Sequence, residues 1–234
     1  MGRCQTPPST LRRAMILDFY DHPMTGEEIE ARSFAIIDQS VPEHRFSPAE
    51  WVVVRRMLHT TADLGLLDEV RFSPDAILAA ITALRAGRPI FVDSNMIRAG
   101  ISQARLRKVC PDYSLDSISC HVADKVVAEE ARRHGMPRSI FAVREARARL
   151  DGAIAVFGNA PVALLELNRM IIEELIRPAL VIAMPVGFVH VTESKDELMA
   201  LDVPYVAVAG RRGGSPLAVS VLHALCSLAV AKEG

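Results

Sequence analysis

The sequence predicts an α/β fold of three layers, with helices on both faces of a five-stranded parallel sheet and further helices ahead of it. Two observations predict this class. Beyond residue 88, short apolar runs alternate with longer helical segments, the pattern of strands joined by crossover helices. In addition, 50% of the residues are hydrophobic but only 5% are aromatic. The core therefore consists mainly of small and branched aliphatic side chains, as in a sheet buried on both faces.

Three helices are predicted before the first strand. The first begins at Thr25, which forms a capping box with the glutamate three residues later. The second is predicted over Pro48–Asp63, because Ser47 can cap it and proline suits the first helical turn. The third is predicted from Ser73 to Gly87, where glycine can end it.

The remaining chain alternates between predicted strands and helices. Strands are predicted at Pro89–Asp93, Ser117–His121, Ala153–Phe157, Ala179–Ala183 and Tyr205–Ala209. Helices are predicted at Asn95–Gly100, Ala123–His134, Ser139–Leu150, Ala160–Ile176, Ser194–Leu201 and Ser215–Ala231. Residues 102–116 are predicted to form an irregular loop, because they contain Pro111 and Asp112.

Composition and charge exclude several classes of protein. The 27 Lys and Arg residues nearly balance the 28 Asp and Glu residues, so the net charge does not indicate binding to nucleic acid or to an anionic membrane. No apolar stretch approaches the roughly 18 residues of a membrane span, and no signal peptide is recognisable. The 4 cysteines lack CxxC and zinc-site spacing, so we expect reduced thiols, a cytoplasmic protein and no metal site. We expect one domain over residues 1–234, with a disordered tail over residues 1–12.

Glycine-rich loops follow several predicted strands. The clearest are Gly158–Pro161, Pro185–Phe188 and Gly210–Ser215, the last directly before a helix. Parallel sheets bind ligands beyond the carboxyl ends of their strands, and a helix N-terminus favours an anion. The loops therefore predict an anion-binding edge of the sheet. The alternative for any single loop is that its glycines only turn the chain, and none of them matches a nucleotide-binding motif.

The second predicted helix carries another candidate site. Arg56, His59 and Asp63 are spaced to share one helix face. Histidine is suited to donating and accepting protons near neutral pH. The alternative is an ordinary polar helix face on the protein surface.

Several distinct short motifs follow one another over roughly residues 25–228. They are I-E-A-R-S-F at 29–34, R-R-M-L-H-T-T at 55–61, D-S-N-M-I-R-A-G at 93–100, G-N-A-P at 158–161, M-P-V-G-F-V at 184–189, E-S-K at 193–195 and G-R-R-G-G-S at 210–215. In this combination and order they resemble the precorrin-8X methylmutase family, in both its aerobic and its cobalt-dependent branch.

The resemblance implies an isomerase of cobalamin biosynthesis that moves a methyl group from C-11 to C-12 of a corrin precursor. It would convert precorrin-8X to hydrogenobyrinic acid, or cobalt-precorrin-8 to cobyrinic acid. His59 matches the family's proton donor and acceptor, and Ser33 and Arg56 match positions that contact the substrate. The resemblance also implies a homodimer and no separate cofactor.

The implied substrate carries many carboxylates, which arginine forks, backbone amides and helix ends can bind. Arg138 is included as a candidate because Arg138-Ser139 resembles a pair in the family. The predicted substrate-binding residues are Ser33, Arg56, Arg138, Asn159, Gly187, Arg211, Gly213, Gly214 and Ser215.

Three positions depart from the family pattern. Val162 stands where threonine is usual, His223 stands where asparagine is common, and Pro216 is unusual. These departures leave the metal status of the substrate open. They also leave open a non-catalytic corrinoid-binding paralogue. A third possibility is an unrelated α/β enzyme that binds a phosphorylated or carboxylated metabolite at the helix end after Gly214.

Overall fold

The computed structural model describes residues 20–231, and the chain divides into two compact units between His44 and Arg45. In the first unit, helix α1 spans Gly26–Ser40. Its start is fixed by the predicted capping box: the Glu28 amide donates to Thr25 Oγ1 at 3.2 Å, and the Thr25 amide donates to the Glu28 carboxylate at 2.7 Å. The first predicted helix is therefore confirmed, whereas the predicted tail over residues 1–12 lies outside the described residues.

The second unit contains the sheet and its helices. In chain order these elements are α2 (Pro48–Thr61), β1 (Val70–Phe72), α3 (Ala76–Arg85), β2 (Ile90–Val92), α4 (Asn95–Gly100), α5 (Gln103–Val109), β3 (Ile118–Ser119), α6 (Lys125–His134), α7 (Arg138–Glu145), β4 (Ile154–Phe157), α8 (Pro161–Glu173), β5 (Leu180–Ala183), α9 (Val191–Met199), β6 (Tyr205–Val208) and α10 (Ser215–Val230). Short 3-10 helices occur at Leu64–Asp68, Leu115–Ser117 and Arg147–Arg149.

The sheet has the strand order β1-β6-β5-β4-β2-β3. All five predicted strands are present, and their mutual pairings are parallel. The prediction of a five-stranded sheet is nevertheless one strand short, because β1 pairs antiparallel with β6, with Val70 opposite Val208. The segment has only three residues and a single fully buried side chain, so it lacks the apolar run by which the other strands were predicted.

Helices cover both faces of the sheet, as predicted. On one face α10 packs against α2, α3, α4 and α5 as well as against β4 and β5. On the other face α8 packs against α7 and α9. There, Phe91, Phe157 and Val181 of the strands form one core with helix side chains such as Leu164 and Leu198. Within residues 20–231, no helix has both the length and the hydropathy needed to cross a bilayer.

The predicted loop over residues 102–116 is wrong in its first half. Helix α5 occupies Gln103–Val109, and the hydroxyl of Ser102 caps it by accepting from the Arg105 amide at 3.3 Å. Leu106 is the one buried side chain of this helix, so the segment lacks the apolar periodicity of a longer helix. Pro111 follows the helix and ends it, rather than marking a loop from the start.

Helix α2 also ends earlier than predicted. It stops at Thr61, and Ala62 takes a left-handed conformation with φ of 52°. Asp63 therefore lies beyond the helix, where its carboxylate accepts from the Gly65 amide at 2.9 Å and starts the next 3-10 turn. The predicted helix face keeps Arg56 and His59 but loses Asp63.

Candidate active site

The carboxyl ends of β2 and β4 are joined by a buried carboxylate. Asp93 follows β2 and is only 2% exposed. It accepts hydrogen bonds from the amides of Gly158, Asn159 and Ala160, at 3.2, 2.9 and 2.8 Å. Burial raises the pKa of Asp93, and the three amide donors oppose that rise. The side chain thus holds the glycine-rich loop after β4 in a fixed position.

Replacement of Asp93 by asparagine should destabilise the fold by about 1 to 3 kcal/mol, because an amide offers one acceptor oxygen in place of two and leaves a buried donor unpaired. Urea unfolding would measure the change. The exposed Asp112→Asn serves as the control and should stay within about 0.5 kcal/mol of the wild type. Equal stability of the two variants would contradict the role assigned to Asp93.

The first turn of α10 packs tightly against these loops. A Cβ added to Gly158 would lie 2.9 Å from Ser215 Cα, so only glycine permits this approach. The hydroxyls of Ser215 and Ser94 lie 3.2 Å apart, and Ser94 also accepts from the Ile97 amide to cap α4. The start of α10 is therefore placed directly beside the ends of β2 and β4.

A buried lysine organises the loop after β6. Lys195 is 0% exposed, and its ammonium donates to the carbonyls of Gly210 and Arg212 at 3.1 and 2.7 Å. Burial lowers the pKa of Lys195 to about 8. The Gly214 amide donates to the Met184 carbonyl at 2.7 Å, which ties the same loop to the end of β5. These hydrogen bonds connect the G-R-R-G-G-S segment to α9 and to the end of β5.

A cavity of about 450 Å³ opens at this edge of the sheet. It is lined by Arg56, His59 and Thr60 of α2, Met96 and Gly100 of α4, and Ser215, Pro216, Val219, Ser220 and His223 of α10. The α10 residues from Pro216 to His223 follow helical spacing along one face. A second cavity, of about 490 Å³, is lined mainly by Ala, Leu and Thr side chains near the amino ends of the strands. Volume does not distinguish the two, but only the first contains histidines together with an arginine and the N-terminus of a long helix.

The cavity brings together three of the predicted site residues, His59, Arg56 and Ser215. Arg56 and His59 are three residues apart on α2 and line it together, as their spacing suggested. Thr60, the next residue, donates its hydroxyl to the Arg56 carbonyl at 2.9 Å, so its side chain follows the helix backbone. An imidazole and a guanidinium therefore line the same cavity.

A second histidine lines the cavity from α10. His223 Nε2 accepts a hydrogen bond from the Ser102 amide at 3.0 Å. Burial lowers the pKa of His223 to about 4, and the positive charges of Arg105 and Arg56 act in the same direction. The ring is therefore neutral at physiological pH.

The other predicted residues lie around the cavity or away from it. Asn159, Gly187, Arg211, Gly213 and Gly214 belong to the loops at the carboxyl ends of the strands, outside the cavity lining. The Gly187 amide donates to the Arg211 carbonyl at 3.3 Å, and the Arg211 guanidinium lies 5.6 Å from the ring centre of the exposed Phe188.

Arg138 and Ser33 lie on other helices. Arg138 is the exposed first residue of α7 and does not line the cavity. Ser33 lies on α1, in the N-terminal unit. The assignment of both residues to substrate binding stays a prediction.

Sequence reasoning did not assign seven of the cavity residues to a site. They are Thr60, Met96, Gly100, Pro216, Val219, Ser220 and His223, of which Pro216 and His223 were noted only as departures from the family pattern. One feature could have identified part of the set. Within the largely apolar helix α10, Ser220 and His223 are spaced by three residues, and polar side chains on a buried helix face often line a cavity.

The fold and the site together define a class: an α/β protein with a mostly parallel sheet and a cavity lined by histidine and arginine at its carboxyl edge. Comparison with known proteins is more specific. The sequence profile of the precorrin-8X methylmutase family matches residues 28–228. A cobalt-precorrin-8 methylmutase from Leptospira interrogans is 41% identical over 212 residues, covering 87% of this chain and 94% of its own. A precorrin-8X methylmutase from Sinorhizobium is 36% identical over 208 residues, covering 88% of this chain and 96% of its own.

A comparison with solved structures indicates the same family. The crystal structure of precorrin-8X methylmutase from Thermus thermophilus aligns with a TM-score of 0.79 at 44% identity, covering 88% of this chain and 97% of that one. The chain therefore belongs to the precorrin-8X methylmutase family.

Proposed function

We propose that this protein is an isomerase that moves a methyl group from C-11 to C-12 of a corrin precursor, giving hydrogenobyrinic acid from precorrin-8X or cobyrinic acid from cobalt-precorrin-8. Family membership supports the reaction. The observation that carries the assignment to this site is the placement of His59 and Arg56 in one cavity beside the N-terminus of α10.

The reaction is an internal rearrangement, so its balance needs no oxidant, reductant or second substrate. One C–C bond to the methyl group breaks, another forms at the neighbouring ring carbon, and the product has the formula of the substrate. What the enzyme must supply is the tautomer of the macrocycle in which migration occurs. We assign His59 to the proton transfer that produces this tautomer, as the imidazole can deliver or accept a proton near neutral pH.

Binding of the macrocycle rests on its peripheral carboxylates. Arg56 lines the cavity and can bind a carboxylate with two parallel N–H donors. The N-terminal turn of α10, at Ser215, presents amide donors at a helix end, which favours a second anionic group. Precise holding contributes to catalysis, since the migrating methyl group must face its acceptor carbon.

Further contacts are assigned to the residues that surround this cavity or match the family motifs. We assign carboxylate binding to the loop residues Asn159, Gly187, Arg211, Gly213 and Gly214, and further substrate contacts to Ser33 and Arg138. Substitution of Ser33, Arg138, Asn159 and Arg211 by alanine, with the substrate KM as the readout, would test the side-chain contacts one by one.

We also propose a cytoplasmic homodimer that needs no separate cofactor, any cobalt being part of the substrate. Large apolar side chains are exposed at the loop after β5, with Phe188 85% and Val189 71% accessible, which supports a protein contact there. Light scattering of the purified full chain would measure the mass. A monomer at micromolar concentration would contradict the dimer.

The test of the function is to incubate the purified chain with freshly prepared precorrin-8X and, in parallel, with cobalt-precorrin-8. Conversion should change the visible spectrum of the pigment while its mass stays constant, because the reaction is an isomerisation. A substrate with a ¹³C-labelled methyl group should show that carbon moving to a new chemical environment. The substrate that is converted identifies the branch.

The alternative is a non-catalytic protein that binds corrinoids. It would bind hydrogenobyrinic acid tightly but leave both precursors unchanged. His59 within the cavity favours the enzyme, because binding alone does not require an acid–base group there.

A further inference from the structure

His223 occupies a position on α10 from which its ring reaches the cavity. Its Nε2 atom accepts the Ser102 amide proton at 3.0 Å, and Ser102 is the one hydrogen-bond partner of this ring among the described residues. An accepting nitrogen carries no proton, so the neutral imidazole must carry its proton on Nδ1. The backbone amide of Ser102 thus selects the tautomer.

We propose that His223 is a substrate-positioning residue whose Nδ1–H donates a hydrogen bond to an oxygen of the tetrapyrrole, while His59 alone exchanges protons with it. This inference rests on the proposed function. A carboxylate or carbonyl oxygen at the rim of the macrocycle is the fitting acceptor, since the ring offers a donor and no charge.

Two observations separate this role from that of a second acid–base group. Protonation of His223 would require Nε2 to give up its bond to Ser102 and become a donor facing an amide donor. The charged groups near the ring are Arg56 of α2 and Arg105 of α5, and both oppose an imidazolium. His223 is therefore held in one protonation state across the pH range in which the enzyme would work.

A single substitution can remove the hydrogen bond between the Ser102 amide and His223. Ser102 has φ of −76°, and Ile101 before it is extended, with φ of −71° and ψ of 120°, so the backbone at position 102 suits proline. The proline Cδ would take the place of the amide proton beside Nε2, so the His223 ring must move away from Ser102. Ser102→Pro removes both the amide proton and the capping hydroxyl. Ser102→Ala removes only the hydroxyl, and is therefore the matched control.

The tautomer is tested by two-bond ¹H–¹⁵N spectra of the histidine rings in the full-length protein, with His223 assigned by comparison with His223→Asn. We expect a pyrrole-like Nδ1 and a pyridine-like Nε2 that persist from pH 5 to 8. Ser102→Ala should retain this pattern, and Ser102→Pro should lose it. A proton on Nε2 in the wild type would overturn the proposal.

The contact is tested by titrating hydrogenobyrinic acid, the product, against each variant and following its visible absorption. His223→Leu should weaken binding by roughly 10-fold, the value of one hydrogen bond, and His223→Asn should restore it to within about threefold, because asparagine also donates from its δ position. Unchanged binding by His223→Leu beside tight wild-type binding would overturn the donor role alone. Failure of the wild type to bind any tetrapyrrole would instead overturn the proposed function, and the donor role with it.

Discussion

Replacement of His59 by alanine is expected to slow methyl migration by roughly 10²- to 10⁴-fold, the usual contribution of a general acid–base residue. Binding of hydrogenobyrinic acid should change little, because Arg56 and the N-terminus of α10 remain in place. The measurements are single-turnover conversion of precorrin-8X and titration of the product. Loss of kcat with nearly constant affinity is the pattern of a group that acts mainly in the transition state.

His134 provides a control for the removal of an imidazole. It lies at the end of α6, outside the cavity lining, and stacks on Phe141. His134→Ala should therefore retain full turnover. Added imidazole should partly restore activity to His59→Ala, since the cavity gains the space of the missing ring. If His59→Ala converted the substrate at the wild-type rate, His59 would have no role in the mechanism, although the cavity could still be the binding site.

The position of His59 on its helix could be predicted, but its place in a cavity could not. Ser47 caps α2 as predicted, with its Oγ accepting from the Glu50 amide at 3.3 Å, and this fixes the start of the helix. Periodicity then determines which residues share a face with His59. It does not determine what that face meets. That information lies in α10, more than 150 residues later, which packs against α2.

Strands β2, β4 and β5 were predictable because each is an apolar run with both faces buried. Strand β1 was not, because it is short, belongs to one edge and exposes Arg71. Its function follows from its pairing: as an antiparallel partner it covers the outer edge of β6, which would otherwise present unpaired backbone groups. An edge strand of this kind is defined by its neighbour rather than by its own sequence.

The tautomer of His223 likewise could not be predicted, because it depends on a contact between residues that are distant in the sequence. The interaction joins His223 to Ser102, which lies 121 residues earlier. Residues 102–116 were predicted as a loop, so no capping residue was expected at Ser102 and its amide could not be placed beside the histidine. An incorrect secondary-structure assignment therefore concealed a site interaction, since the N–H in question exists in that position only because α5 begins there.

Replacement of Gly213 by alanine is expected to cost about 3 kcal/mol of stability, because overpacking against backbone atoms cannot relax. The added Cβ would overlap the Met184 carbonyl oxygen and would lie 2.6 Å from the Pro185 carbonyl oxygen. Both atoms belong to the backbone, so no side-chain rotation relieves the contact. For a chain of this size the melting temperature should fall by roughly 6 to 12 °C.

Gly210 in the same loop is the matched comparison. It has φ of +70° but nothing within 4 Å of an added Cβ, so Gly210→Ala bears only the cost of a left-handed alanine, about 1 to 2 kcal/mol. The difference in stability between the two variants therefore measures the effect of the close approach itself.

The close approach of Gly213 to the end of β5 allows the Gly214 amide to reach the Met184 carbonyl at 2.7 Å, and so places the first turn of α10 at the cavity. We thus expect the folded Gly213→Ala protein to bind hydrogenobyrinic acid more weakly than Gly210→Ala. Equal melting temperatures and affinities would mean that the loop tolerates separation from β5, and that the position of α10 does not depend on it.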